Sequence, residues 1–154
     1  GDPSLYGAIL EQMVQLDRLG IAYEVVPGVT SAFAAAAALN QELTLPEVSQ
    51  TVIITRLAGR TPVPERERLA EIAKIGATLV IYLSVGMVEE VVSELLQGAY
   101  VAETPVAVVA RASWPDEQVS EGPLANIAAK VRAAGIDRQE ISIVGDVLRA
   151  RREA

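Results

Sequence analysis

The sequence predicts an α/β fold in which a mainly parallel or mixed sheet carries helices on both faces. Segments with the apolar spacing of helices alternate with short apolar segments along most of the chain. One short segment, Leu79–Leu83, is continuously apolar, which is typical of a strand buried on both faces. The chain has 154 residues, which is too few for two domains of ordinary size. Its hydrophobic share of 51% is enough to form one buried core.

The first predicted helix lies close to the amino terminus. Apolar residues between Ile9 and Leu19 repeat at the spacing of one helix face, which predicts a helix over Leu5–Leu19 that Gly20 ends. Short segments rich in β-branched and apolar residues predict strands. They cover Ala22–Val26, Thr51–Thr55, Leu79–Leu83, Pro105–Val109 and Ile141–Val144, with a short edge strand over Gln118–Glu121.

The other helices are predicted between these strands. Thr30 or Ser31 is expected to cap an alanine-rich helix that runs to Asn40. Three further segments have helical apolar spacing, and the first of them begins with a proline, which suits a first helical turn. They cover Pro64–Ile75, Met87–Leu96 and Leu124–Val131.

Composition excludes several classes of function. The net charge of -7 argues against a nucleic-acid binder, which would present a basic face. The chain has no histidine and no cysteine, so imidazole–metal sites, disulfides and thiolate chemistry are excluded, and we expect no bound metal. No apolar run approaches the ~20 residues of a membrane span. Neither the dinucleotide fingerprint nor the phosphate-binding loop of nucleotide triphosphatases is present.

Sheets of this class bind ligands beyond the carboxyl ends of their strands, so the loops that follow strands are the candidate sites. In Pro27–Ser31, Gly28 would let the backbone approach a ligand closely, although the segment taken alone is more typical of a turn followed by a helix cap. Arg56, Arg60 and Arg111 follow strands and could bind carboxylates. The ring of Trp114 could lie against a flat ligand or cover the core.

Five motifs occur along the chain in this order: Gly1–Gly7, Pro27–Ser31, Leu79–Leu83, Pro105–Val109 and Arg111–Pro115. Together and in this order they resemble one family, the tetrapyrrole (corrin and sirohaem) methylases. Within that family, the combination of Gly1–Gly7, Arg56–Pro62 and Arg111–Pro115 is most similar to the branch that methylates corrin intermediates.

The resemblance implies a cytoplasmic homodimeric enzyme that transfers the methyl group of S-adenosylmethionine to a ring carbon of a tetrapyrrole in cobalamin biosynthesis. It also implies two domains. Residues 1–20 would form the inter-domain loop and helix, residues 21–154 the C-terminal α/β domain, and the family's N-terminal domain would be absent from this sequence.

Site residues carry over from the resemblance by position. The substrate of such an enzyme bears acetate and propionate groups, which gives the arginines a role, and Arg56, Arg60, Arg111 and Trp114 are the expected substrate contacts. The expected cofactor contacts are Gly1, Asp2, Leu5, Thr30, Ser31, Leu83 and Ala112. Methyl transfer from a sulfonium requires alignment rather than a metal or a covalent nucleophile, so a chain without histidine and cysteine is suited to it.

Two alternatives stay open at the level of sequence. A related methylase could act on another acceptor, such as another corrin position, diphthine or ribosomal RNA, and the acidic charge argues against RNA. The chain could also be a non-catalytic folded module that dimerises or binds a partner.

Overall fold

The computed structural model describes residues 1–59, 61–83, 86–136 and 140–150. Its centre is a five-stranded sheet with the strand order β1-β2-β5-β3-β4. The strands are β1 (Val52–Arg56), β2 (Thr78–Leu83), β3 (Pro105–Ala110), β4 (Gln118–Pro123) and β5 (Glu140–Val144). All the strands except β4 are largely buried or half-buried, and β4 lies at an edge, as its polar sequence predicts.

The sheet is mixed. Only β1 and β2 run parallel, and the other three pairings are antiparallel. The expectation of a mainly parallel sheet is therefore wrong, because β5 enters between β2 and β3 in the opposite direction and β4 returns directly from β3. The mixed form of the prediction is confirmed.

The carboxyl ends of three strands lie at the same end of the sheet. β1, β2 and β3 run in the same direction, so their carboxyl ends lie together, beside the first residues of β4 and β5. In register, Glu140 faces Leu83 on one side and Ala110 on the other, and Ala110 also faces Gln118. We call this edge, formed by Arg56, Leu83, Ala110, Gln118 and Glu140, the ligand rim.

Helices cover both faces of the sheet, as predicted. Leu79 and Ile81 point to the face that packs against α3, α4 and α5, whereas Val80 and Ile143 point to the opposite face, which α2 covers. This division follows from the two-residue period of strands. The helices are α1 (Ile9–Arg18), α2 (Ser31–Ala38), α3 (Leu69–Ile72), α4 (Val88–Leu95) and α5 (Leu124–Ala133).

The predicted strand over Ala22–Val26 is wrong. These residues are exposed, and no strand of the described residues pairs with them. Side chains such as Tyr23 and Val25 have a β-type sequence, but a strand also needs a neighbour to complete its hydrogen bonds. The segment instead leads from α1 into the loop before α2.

The first helix is shorter than predicted. It begins at Ile9 rather than Leu5, because residues 3–6 form a turn and Ala8 adopts a left-handed conformation with φ of 51°. Gly20 follows its end with φ of 65°, as expected of a glycine that ends a helix. None of its residues is fully buried, and the apolar side that predicts the helix is only partly covered: Ile9, Met13 and Leu16 are half-buried, whereas Leu10 is exposed.

The predicted helix over Pro64–Ile75 is wrong as a continuous helix. Two 3₁₀ turns, Glu65–Glu67 and Ala73–Ile75, flank the single turn of α3. The break occurs at Arg68, which is extended with ψ of 145°. The Glu94 carboxylate accepts a hydrogen bond from the Ala70 N–H at 2.9 Å, which satisfies a donor at the start of α3.

The predicted helix over Met87–Leu96 is confirmed as α4. Its apolar residues Val88, Val91 and Leu95 are buried in the core of this chain, so core packing accounts for its amphipathic pattern. Among the described residues, no helix is both long and apolar enough to cross a membrane.

Candidate functional site

A cavity of about 370 Å³ opens at the ligand rim. It brings together residues from four segments that are distant in the sequence: the start of α2, the end of β2, the loop after β3 and the start of β5. Its lining consists of Ser31, Tyr82, Leu83, Arg111, Ala112, Trp114, Glu140 and Ile141. Three of the predicted cofactor contacts and two of the predicted substrate contacts therefore share one cavity.

Asp2 joins the first loop to the loop before α2. One carboxylate oxygen accepts the Ser4 N–H at 2.8 Å, and the other accepts the Gly28 N–H at 2.9 Å. These two backbone hydrogen bonds lower the pKa of the Asp2 carboxyl below its usual value, and the bond from Gly28 has the larger effect. The loops meet so closely that a Cβ at Gly28 would lie 2.2 Å from the carbonyl oxygen of Gly1. Leu5 belongs to the same first loop, and its N–H donates to the Asp2 carbonyl at 3.4 Å.

Thr30 precedes α2 at the position that the sequence predicts for its cap. The expected side-chain cap is not formed, however, because the Thr30 hydroxyl is hydrogen-bonded to the Tyr82 hydroxyl instead. Tyr82 also accepts the Ala32 N–H at 3.3 Å, which satisfies one of the free donors at the helix start. Tyr82 of β2 thus accepts a hydrogen bond that a capping side chain usually accepts at the start of a helix.

Tyr82 contacts the first loop as well. Its ring meets that of Tyr6 edge to face, with centroids 5.1 Å apart and an angle of 72° between the planes. Desolvation raises the pKa of the Tyr6 hydroxyl, and the positive charge of Arg56 partly opposes this. Sequence reasoning missed Tyr82, although it is the one polar side chain in the apolar segment Leu79–Leu83.

The loop after β3 presents Arg111 and Trp114 as a pair. Arg111 and Ser113 both have positive φ, 52° and 70°, which turns the chain sharply at the ligand rim. The guanidinium carbon of Arg111 lies 4.4 Å from the centroid of the Trp114 ring. Trp114 is 55% exposed, so the interpretation of this ring as a cover over the core is wrong.

Arg111 is also held by a carboxylate of its own loop. Its Nε donates to Asp116 at 2.7 Å, and this hydrogen bond lowers the pKa of the Asp116 carboxyl below its usual value. The guanidinium is therefore fixed in orientation by Asp116 on one side and Trp114 on another. Both contacts hold the positive charge of Arg111 in one orientation beside the cavity, so the cation is preset for a ligand.

Arg56 lies at the ligand rim but is engaged with the loop that follows it. Its Nη1 donates to the Thr61 carbonyl at 3.1 Å and its Nη2 to the Pro62 carbonyl at 3.3 Å. The geometry thus gives Arg56 a part in shaping this loop. Arg60, the other predicted contact in the loop, lies outside the described residues.

Glu140 is a second residue that sequence reasoning missed. It is 3% exposed, lies between the ends of β2 and β3, and lines the cavity. The signal was a single acidic residue at the head of the apolar segment that forms β5. Within the described part of the chain, no group of three acidic, histidine or cysteine side chains is arranged to hold a metal ion.

A larger cavity of about 680 Å³ lies between α3 and the end of α4. Arg66 and Arg68 line it together with acidic residues, and Arg68 lies 3.8 Å from the Glu94 carboxylate. This cavity contains none of the predicted contacts. The residues with the expected chemistry gather at the smaller cavity on the ligand rim.

Comparison with known proteins connects this site to one family. The sequence model for the tetrapyrrole (corrin/porphyrin) methylases matches residues 1–128. A cobalt-precorrin-4 C(11)-methyltransferase of Methanocaldococcus jannaschii is 57% identical over 96% of this chain and 57% of its own length. A precorrin-4 C(11)-methyltransferase of Pseudomonas aeruginosa is 54% identical over 97% of this chain and 60% of its own length. The chain thus spans somewhat over half the length of these relatives.

Solved structures have the same fold. The X-ray structure of a cobalt precorrin-4 methyltransferase from cobalamin biosynthesis matches 96% of this chain and 62% of its own, with 47% identity and a TM-score of 0.92. A uroporphyrin-III C-methyltransferase from Thermus thermophilus, in complex with S-adenosylhomocysteine, matches 97% of this chain and 64% of its own. Its identity is 28% and its TM-score 0.76.

Proposed function

Because the chain belongs to the tetrapyrrole (corrin/porphyrin) methylase family, we propose that it forms part of an S-adenosylmethionine-dependent enzyme of cobalamin biosynthesis. The proposed reaction is methyl transfer to carbon 11 of precorrin-4 or cobalt-precorrin-4, the substrates that the names of its relatives give. The observation that carries the proposal is the cavity at the ligand rim, which is lined by both expected cofactor contacts and expected substrate contacts.

The lining of the cavity supports S-adenosylmethionine as the ligand. Its volume of about 370 Å³ falls within the usual range for small-molecule sites. Leu83 and Ala112 offer apolar walls and main-chain groups at strand ends, and Ser31 adds a hydroxyl. When bound, the cofactor supplies a methyl group on a positively charged sulfur, which is already an activated leaving group. We assign to the cofactor the three expected contacts that line the cavity, Ser31, Leu83 and Ala112. We also assign to it the expected contacts in the first loop and directly before α2, which are Gly1, Asp2, Leu5 and Thr30.

The chain's own contribution to the reaction is alignment. The Asp2–Gly28 contact and the Tyr82–Thr30 contact hold the two loops that border the cofactor site. The preset guanidinium of Arg111 and the exposed face of Trp114 offer a cation and a flat surface for a carboxylate-bearing macrocycle. Bringing the methyl group and the acceptor carbon to about 3–3.5 Å is the main task of such a site.

The arginines provide a test of substrate binding. Replacing Arg56 or Arg60 with glutamine in the complete gene product should weaken tetrapyrrole binding, by about tenfold for each lost charged hydrogen bond. The affinity for S-adenosylhomocysteine should stay nearly unchanged, because the assigned cofactor contacts are other residues. Both affinities are measured by calorimetric titration.

Arg66→Gln is the matched control, since Arg66 lines the other cavity. It should leave both affinities at the wild-type value. Wild-type protein that binds no S-adenosylhomocysteine would contradict the proposed function. Unchanged tetrapyrrole affinity in both the Arg56 and Arg60 variants would contradict their assignment to the substrate.

The proposal extends to the whole protein. Residues 1–20 would connect the two domains of the enzyme and residues 21–154 would form its C-terminal domain. We also propose that the enzyme acts as a homodimer in the cytoplasm. Exposed apolar side chains in the first part of the chain support an association of this kind, and they include Leu10, Leu19, Val26, Val29 and Phe33.

A further inference from the structure

We propose that Tyr82 is a positioning residue that fixes the start of α2 against the ligand rim and so preorganises the cofactor site. The inference rests on the proposed function and deepens it, because the site it concerns is the one assigned to S-adenosylmethionine. Tyr82 belongs to neither set of residues assigned above. It reaches the site from β2, a largely buried strand that lies between β1 and β5 in the sheet.

The hydroxyl group of Tyr82 makes two contacts with the start of α2. It is hydrogen-bonded to the Thr30 hydroxyl, and it accepts the Ala32 N–H at 3.3 Å. Thr30 is 9% exposed, so its hydroxyl has little access to water. These bonds hold the side chain of Thr30 and the backbone of Ala32, the two neighbours of Ser31, which lines the cavity.

The ring of Tyr82 reaches a second segment of the site. It contacts the ring of Tyr6 edge to face, which places the first loop, with Asp2 and Leu5, beside the start of α2. Leu83 follows Tyr82 directly in β2 and lines the cavity. Tyr82 thus connects three of the four segments that supply the expected cofactor contacts.

Removal of the hydroxyl group separates positioning from packing. In Tyr82→Phe the ring still fills its place and still meets Tyr6, so the sheet and the first loop keep their packing. The Thr30 hydroxyl and the Ala32 N–H lose their partner, and the start of α2 gains freedom. A ligand that needs an ordered Thr30–Ser31 turn must then supply the ordering itself, which lowers its affinity.

The test is a calorimetric titration of the complete gene product with S-adenosylhomocysteine. Tyr82→Phe is expected to weaken binding about three- to tenfold, the range for the loss of one net hydrogen bond. The matched control is Tyr100→Phe, which removes a hydroxyl that donates to the Ala77 carbonyl at 2.5 Å, at the opposite end of β2. That variant should lower the melting temperature and leave the affinity unchanged.

A double-mutant cycle tests whether Tyr82 acts through Thr30. In a Thr30→Val background, Tyr82→Phe should weaken binding by less than it does in the wild type, because the hydrogen bond to the Thr30 hydroxyl is already lost and only the contact with the Ala32 N–H remains to be removed. An equal loss in both backgrounds would overturn the inference, as would wild-type affinity in Tyr82→Phe. If the wild-type protein binds no S-adenosylhomocysteine, the proposed function fails first and the role of Tyr82 fails with it.

Discussion

Gly28→Ala is expected to weaken S-adenosylhomocysteine binding by about 10- to 100-fold, the loss that corresponds to the usual cost of overpacking at a rigid contact. The added Cβ would lie 2.2 Å from the Gly1 carbonyl oxygen and 3.1 Å from its carbonyl carbon, both of them backbone atoms. The first loop must therefore move away from the start of α2. That movement also breaks the hydrogen bond between the Gly28 N–H and Asp2.

The fold itself should survive this substitution. Gly28 lies in an exposed segment and belongs to neither core cluster of the sheet. The matched control is Gly135→Ala, where φ is 66° and nothing lies within 4 Å of the added Cβ. This control loses about 1 kcal/mol of stability through backbone strain and keeps its affinity. Wild-type affinity in Gly28→Ala, measured by the same titration, would refute the close approach of the two loops at the cofactor site.

Ile143→Ala is expected to lower the free energy of unfolding by about 2–5 kcal/mol, the range for truncating a buried aliphatic side chain. Ile143 is fully buried in β5, the central strand, between Val80 of β2 and Ala107 of β3. Its side chain belongs to the cluster that packs α2 onto the sheet. The truncation leaves a cavity under α2, which begins at Ser31 directly after Thr30. Because both residues are assigned to the cofactor, the affinity for S-adenosylhomocysteine should fall as well.

Ile75→Ala makes the same chemical change at a position that is 65% exposed. It should change the free energy of unfolding by no more than about 0.5 kcal/mol, as surface substitutions usually do. Both variants are measured by urea unfolding with linear extrapolation. Equal losses in the two variants would mean that β5 is not the centre of the core.

The elements that sequence predicts well are those whose signal is local and whose burial agrees with it. Leu79–Leu83 is apolar apart from the hydroxyl of Tyr82, and it forms most of β2 inside the sheet. Ala22–Val26 has a β-type sequence too, but pairing depends on a neighbour that composition does not reveal. The direction of β5 is a tertiary property for the same reason, since either direction would bury Ile141 and Ile143.

The site divides in a similar way. The ligand rim follows from the alternation of strands and helices, and Ser31, Leu83 and Ala112 do meet at its cavity. The role of Tyr82 depends on its hydrogen bonds to Thr30 and Ala32, which lie some 50 residues earlier in the chain. Such long-range contacts cannot be predicted from the spacing of residues in the sequence. The sequence predicts that Arg56 can bind a carboxylate, because a guanidinium group suits that ligand. Only the folded structure shows that Arg56 donates hydrogen bonds to carbonyls of the loop that follows it.

Methyl transfer by the complete gene product tests the central claim most directly. The protein is incubated with methyl-labelled S-adenosylmethionine and, in separate reactions, with precorrin-4, cobalt-precorrin-4 or uroporphyrinogen III. We expect label at carbon 11 of precorrin-4 or its cobalt form, with one S-adenosylhomocysteine released for each methyl group transferred. Label found only in uroporphyrinogen III, or in none of the three acceptors, would contradict the central claim.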